Sequence, residues 1–293
     1  MTFFDASKLN IPFIKYRKIL ISISVVMIAA SIALLATKGL NFGVDFTGGL
    51  VLQVEFEKPA DVGAVRAALA KIGHGSATIQ AFDDRTILLR FQAQDDEVRK
   101  AVLAVLGSDI GAYKVLRIDK IGPVVGGELR MQAVYSLTLA LAAILVYMAY
   151  RFRFRFGAVA VAALMHDVII MLGAYSLTGK EVSVTFIAAI LTIAGYSLND
   201  SIVVLDRVRE NWSSVRSVGI DVLVNRSINQ TLSRTVNTSL TTLLPIIAMY
   251  IWGGEVISNF AFAFLIGILA GTYSSICIAG GLLVTWYLRS PKY

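Results

Sequence analysis

The residues with chemistry to offer are few, and they sit in apolar company. Ala194 to Asn211 reads Ala-Gly-Tyr-Ser-Leu-Asn-Asp-Ser-Ile-Val-Val-Leu-Asp-Arg-Val-Arg-Glu-Asn and begins inside an apolar run that opens near Val182. Asn199 and Asp200 lie within that run, which ends at Asp206 and Arg207. If the run spans a bilayer, Asp200 is a carboxyl group in hydrocarbon. Such a group costs about 3 kcal/mol on insertion scales and points to ion or proton chemistry. A second pair, His166-Asp167, falls near the middle of another apolar run; it could relay protons or simply satisfy polar groups in a bundle. The sequence has no Gly-rich phosphate loop ending in Gly-Lys-Ser/Thr and no His-Glu-x-x-His pair. The single Cys277 permits no disulfide framework or cysteine metal site within the chain. Neither cofactor nor metal is expected.

Composition says what must hold these residues. With 56% of 293 residues hydrophobic and 16% charged, the balance is that of a membrane protein. Residues 1–18 form a short segment carrying Lys8, Lys15, Arg17 and Lys18, and the uninterrupted run Ile19 to Ala36 follows. That run exceeds the roughly 7 to 15 residues of a signal-peptide core, so a first transmembrane helix is predicted within 19–37. From Lys38 to Arg130 there are 12 Lys+Arg, 12 Asp+Glu and no run long enough to span. This reads as a soluble domain over 38–130, and the chain's net charge of +7 belongs entirely to the other segments. Residues 131–293 hold five more runs, Met131 to Tyr150, Gly157 to Leu177, Val182 to Leu205, Thr235 to Ile251 and Val256 to Leu288, with a loop at about 207–233. As a helix the last run would be about 50 Å long, against about 30 Å of hydrocarbon, so it is expected to tilt or to begin along the interface.

Inside 38–130, Leu50 to Phe56 alternates as a strand does. Val62, Val65, Leu69 and Ile72 recur at helical spacing, with Asp61 as N-cap and Gly73 as stop. Thr78 to Phe82 and Thr86 to Phe91 read as a hairpin around Asp83-Asp84-Arg85, Asp95 to Leu106 as a helix ended by Gly107, and Tyr113 to Ile118 as a last strand. The order βαββαβ is a ferredoxin-like plan, which by itself assigns no function. His74 is read as a turn residue.

Arg and Lys crowd the N-terminal segment, Arg151-Arg153-Arg155, the loop with Arg207, Arg209, Arg216 and Arg226, and the end at Arg289 and Lys292. The alternate loops hold only Lys180-Glu181 and Gly253-Gly254-Glu255. The positive-inside rule then puts both termini in the cytoplasm and 38–130 on the far side. That alternation explains the basic loops by topology, with no nucleic acid as partner. Arg151 to Phe156 reads as an interfacial anchor of snorkelling arginines. Thr185, Thr192, Asn199 and Asp206 recur every seven residues, with Tyr196 and Asp200 beside that line; Arg234, Asn237, Thr238, Thr241 and Thr242 make a matching stripe on the next helix. Turning the stripes together pairs Asp200 with Arg234. Taken alone, Arg234 could equally mark the membrane boundary. Ala263, Gly267, Gly271, Ser275 and Ala279, spaced by four, mark close helix packing.

Gly195-Tyr196-Ser197-Leu198-Asn199-Asp200-Ser201, continuing into Asp206-Arg207-Val208-Arg209-Glu210-Asn211, resembles the fourth-helix signature of the SecF subunits, bacterial protein-export membrane proteins related to the resistance-nodulation-division transporters. Gly43-Val44-Asp45-Phe46-Thr47-Gly48-Gly49, Gly126-Gly127-Glu128-Leu129 and Arg234 to Thr242 agree with it, and the similarity runs through essentially the whole chain. Ser201 and Leu205 stand where Thr and Phe are more usual. The resemblance implies a multi-pass protein of the inner membrane that pairs with SecD and associates with the SecYEG channel and a small YajC-like accessory protein. Such a protein uses the proton motive force to draw a translocating preprotein out on the periplasmic side and has no catalytic site. By position, Asp200 matches the protonatable carboxylate and Arg234 the arginine near it, with Asn199 beside them; His166 and Asp167 remain a secondary polar site. Two other classes fit the membrane chemistry. A small-molecule antiporter would carry two six-span halves and two external domains, whereas this chain has one of each. A passive scaffold would show no proton flow.

Overall fold

The structure is a computed structural model describing residues 10–75, 77–91 and 96–290. Lys8, Lys292 and the expected helix start at Asp95 lie outside the described residues. The chain divides into two compact units: residues 1–41 with 136–293, and Phe42–Tyr135.

In chain order the elements are α1 (Arg17–Thr37), β1 (Asn41–Phe42), α2 (Val44–Thr47), β2 (Gly49–Phe56), α3 (Val62–Lys71), β3 (Thr78–Ala81), β4 (Thr86–Phe91), α4 (Asp96–Asp109) and β5 (Tyr113–Ile121). Then come α5 (Pro123–Arg151), α6 (Phe154–Thr178), β6 (Glu181–Val182), α7 (Val184–Glu210), α8 (Val215–Val218), α9 (Ile220–Trp252), α10 (Gly254–Tyr273), a π-helical segment (Ser274–Ala279) and α11 (Gly280–Arg289).

The smaller unit is built around a four-stranded antiparallel sheet in the order β3-β4-β2-β5. Alternation along β2 puts Leu50, Leu52, Val54 and Phe56 on one face, where they form a core with Val65, Leu69, Val102 and Leu106 of α3 and α4. Val51 points the other way and is covered by Val44 and Leu88. Asp61 caps α3 by accepting the Ala64 amide at 2.9 Å. The hairpin turn is closed by Asp83, whose carboxylate accepts the Arg85 and Thr86 amides at 2.7 and 2.6 Å; these donors hold its pKa below the ordinary aspartate value. The expected stop at Gly107 is corrected. α4 continues to Asp109, and the chain turns at Gly111, whose φ of +141° favours glycine. Gly107 instead lets the Tyr113 ring approach: a Cβ there would lie 3.4 Å from it.

The larger unit supplies helices for six candidate membrane spans. Three features differ from the run-based reading. α9 begins at Ile220, not near Thr235, because Ile220, Leu223, Val224, Ile228, Thr231 and Leu232 are buried at helical spacing between polar neighbours. The long last run is one helical stretch from α10 to α11 with the π segment inside it. Arg151, expected as a snorkelling anchor, is committed to an ion pair with Asp206 at 2.6 Å, while Phe152 and Phe156 are buried in the core. The pair forms because the last turn of α5 meets the C-terminal part of α7, where Arg209 also reaches Asp206 at 3.1 Å.

Small residues set the helix spacing. A Cβ on Gly173 of α6 would lie 2.4 Å from the Ser31 Cβ of α1, one on Gly267 of α10 2.5 Å from Ile193 of α7, and one on Gly271 3.0 Å from Ser197. Contacts below 3 Å exclude any side chain without movement, so the spaced-by-four pattern on α10 is a packing device against α7.

Candidate intramembrane proton site

α7 carries Asn199 and Asp200 as chain neighbours 100° apart, so the helix sends them to different sides. Asp200 turns inward and is 4% exposed; Asn199 is exposed. The Asp200 Oδ2 atom is buried and has no hydrogen-bond partner, and the Thr235 hydroxyl on α9 is in the same position. A buried carboxyl oxygen left unpaired is costly unless the group is neutral or a partner can reach it. Arg234, next to Thr235, lies within electrostatic reach of Asp200. The expected direct ion pair is not formed in this structure, because Arg234 projects from the exposed side of α9 while Asp200 faces inward. The two polar stripes do meet one turn away, where the Tyr196 hydroxyl donates to Thr242 Oγ1 at 3.3 Å. Further hydroxyls join α9 to α10 through Ser239 and Thr272 at 2.7 Å.

His166 and Asp167 on α6 form a second, fully buried cluster, 3% and 0% exposed. His166 Nδ1 is 2.8 Å from Asp167 Oδ1, and His166 Nε2 is 3.1 Å from the Ser24 hydroxyl of α1. Asp167 Oδ2 accepts two hydroxyls, Ser197 of α7 at 2.5 Å and Ser274 of the π segment at 2.8 Å. Tyr273 donates to the Leu20 carbonyl at 2.8 Å and lies 3.3 Å from Ser24 Oγ. Sequence reading found the His-Asp pair and missed its partners. Ser24 and Ser31, seven residues apart, make up the buried face of α1; Ser197 lies inside the Gly195 to Ser201 signature and Ser274 beside Ser275, and nothing in either stretch says that it faces α6. Among the described residues no group of three His, Cys, Asp or Glu could hold a metal ion.

The family model described as "Protein export membrane protein SecD/SecF, C-terminal" matches residues 101–289, and the SecD/SecF GG motif matches residues 33–60. The chain belongs to the SecD/SecF family of protein export membrane proteins. Protein translocase subunit SecF of Desulfurispirillum indicum is 45% identical, covering 97% of this chain and 93% of its own length. The SecF of Pseudomonas aeruginosa is 40% identical over 96% of this chain and 93% of its own. A crystal structure of SecDF from Thermus thermophilus, described as a translocon-associated membrane protein, superposes with a TM-score of 0.88 at 43% identity, covering 94% of this chain and 38% of that one. SecDF in a super-membrane-facing form superposes with a TM-score of 0.71 at 42% identity, over 95% of this chain and 39% of that one. The chain thus spans well under half of each SecDF. Within this SecD/SecF member the GG motif has a structural reason. Gly126 packs against it so closely that a Cβ would lie 3.1 Å from the Gly48 amide nitrogen.

Proposed function

We propose that this SecD/SecF family member is the SecF half of a proton-driven export device, in which Asp200 takes up and releases a proton and Arg234 moves between reaching and leaving it. The observation that carries the reading is the buried Asp200 oxygen with no partner, on a helix whose neighbour holds an arginine within electrostatic reach but outside an ion pair. Burial favours the neutral form of a carboxyl group and an approaching guanidinium favours the ionised form, so a small movement of the arginine suffices to load or discharge it. Each proton crossing 100 mV releases about 2.3 kcal/mol, enough to bias a two-state motion. The two SecDF structures match this chain at nearly equal identity but with TM-scores of 0.88 and 0.71, so those proteins take up different shapes, as a working cycle requires.

The chain sits in the bacterial inner membrane with both termini cytoplasmic and residues 38–130 periplasmic, a reading supported by the Arg and Lys loops. The periplasmic unit follows the ferredoxin-like plan, supported by its β3-β4-β2-β5 order with two helices on one face. SecD completes the bundle, and SecYEG, a YajC-like accessory protein and the emerging preprotein are the further partners. The test is Asp200→Asn in vesicles carrying the full complex. Loss of the gradient-dependent part of export with normal assembly is expected; undiminished gradient-dependent export would overturn the proposal and favour a passive scaffold.

A further inference from the structure

We propose that the buried His166–Asp167 pair is a second proton-carrying station, linked through Ser197 to Asp200. The inference rests on the reading of Asp200 above.

Each atom in the cluster has a fixed capacity to donate or accept. The Leu20 carbonyl can only accept, so the Tyr273 hydroxyl hydrogen is spent on it. Ser24 Oγ then stands between two acceptors, the Tyr273 oxygen at 3.3 Å and His166 Nε2 at 3.1 Å, with one hydrogen to give. On the far side of the ring, Asp167 Oδ2 already accepts from both Ser197 and Ser274. Its Oδ1 therefore faces Nδ1, where a hydrogen must lie between the two atoms.

Two hydrogen arrangements keep every contact of the ring and the carboxylate without moving a heavy atom, and the second also places a hydrogen between Ser24 and Tyr273. In the first, neutral His166 carries its hydrogen on Nδ1 and donates it to the Asp167 carboxylate, while Ser24 donates to Nε2. The pair then has a charge of −1. In the second, a proton from bulk water has been added at Nε2, the N–H bond donates to Ser24 Oγ, and the Ser24 hydrogen turns toward Tyr273. The pair is now neutral overall, an imidazolium beside a carboxylate. The two states differ by one proton and one hydroxyl rotation. A site that merely satisfied bundle polarity would stay in one of them.

The link to Asp200 follows from helix geometry. Ser197 and Asp200 are three residues apart on α7 and share its buried face, about 4.5 Å apart along the axis. α10 packs closely on Ser197, where a Cβ at Gly271 would lie 3.0 Å from the serine side chain. The titratable group in contact with the pair is Tyr273 of α10, whose ring centroid lies 6.0 Å from that of His166, and Cys277 of the π segment interacts with Tyr273 in turn; α1 contributes Ser24. Negative charge on one carboxyl makes ionisation of the other harder, so the two stations titrate as a coupled set. π segments inside helices recur at functional sites, and here one supplies Ser274 to the same carboxylate.

The chain has two histidines, His74 in the sheet unit and His166, so H74Q leaves one reporter. Nitrogen-15 histidine NMR would be recorded on the H74Q chain, labelled and reconstituted in bilayers with its unlabelled partner subunit. The proposal expects the His166 ring to pass between singly and doubly protonated forms as pH changes, with that change moved to lower pH in Asp200→Asn. A single form at all pH values, or a change unaffected by Asp200→Asn, overturns it. Proton flux separates this inference from the reading it rests on. Asp167→Asn keeps an oxygen to accept from Ser197 and Ser274 but cannot balance an imidazolium, and loss of flux with normal assembly is expected. If Asp200→Asn abolishes flux and Asp167→Asn leaves it intact, the second station falls and Asp200 stands. If flux survives Asp200→Asn, the reading of Asp200 falls with it.

Discussion

Two polar sites share one bundle and are built in opposite ways. At His166–Asp167 both ring nitrogens and both carboxyl oxygens have partners, drawn from α1, α6, α7 and the π segment. At Asp200 one buried oxygen has none, and the nearest named cation stays outside an ion pair. The first site ties four helical segments together; the second leaves electrostatic free energy to be gained by movement. The difference teaches that burial alone does not identify a switch. What distinguishes Asp200 is that its environment is incomplete in this state.

The comparison is broken most directly by removing each carboxyl group. Asp167→Leu should cost about 3 to 5 kcal/mol of unfolding free energy, because His166 and two serines lose their partner in the interior. Asp200→Leu should change stability by less than about 1 kcal/mol while abolishing proton-dependent export, since the oxygen it removes is unpaired. Reversible unfolding in detergent, read alongside export in vesicles, would expose equal costs if the contrast is false. A smaller effect sharpens it: Gly271→Ala pushes a Cβ to 3.0 Å from Ser197 and should cost about 1 to 3 kcal/mol, disturbing the His166–Asp167 cluster first. A chemical-shift change at His166 with a partial loss of proton flux is the expected pattern.

At the membrane mouth, Arg151 and Asp206 form a partly exposed pair, 33% and 23% exposed at the side chain. A double-mutant cycle should give a coupling of about 1 kcal/mol or less, well below the buried cluster. In the sheet unit, the backbone amides of Arg85 and Thr86 hold Asp83 below its ordinary range. A depressed carboxyl contributes fully above its unfolded pKa, and its contribution is lost as pH falls through the folded value. Protection of the Thr86 amide from hydrogen exchange should therefore be complete at neutral pH and decline in acid, and Asp83→Ala should remove the acid dependence with a loss of about 1 kcal/mol.

Much of this was legible in the residues. The six apolar runs, the βαββαβ order and the anomaly of Asp200 each follow from period and polarity, and the spaced-by-four small residues of α10 were read correctly as packing against a neighbour. The start of α9 was missed because Asp221, Asn225, Arg226, Asn229 and Gln230 break the apolar run, although the buried positions between them keep a helical period. Gly107 reads as a stop because a glycine near the end of a periodic stretch usually is one, whereas here the helix runs on to Asp109 and the turn falls at Gly111. The hydroxyls around His166 could not be matched to it, since a serine in an apolar helix looks the same whether it faces a carboxylate on another helix or its own backbone. Nor could stripe matching say that Arg234 would stop short of Asp200, because which side of α9 is left uncovered depends on packing across the bundle.

The central claim is that the Asp200 carboxyl group exchanges a proton, and infrared difference spectroscopy of the reconstituted complex tests it most directly. Lowering the pH should produce a protonated-carboxyl C=O stretching band in the wild type that is missing in Asp200→Asn. Identical difference spectra from the two would contradict it.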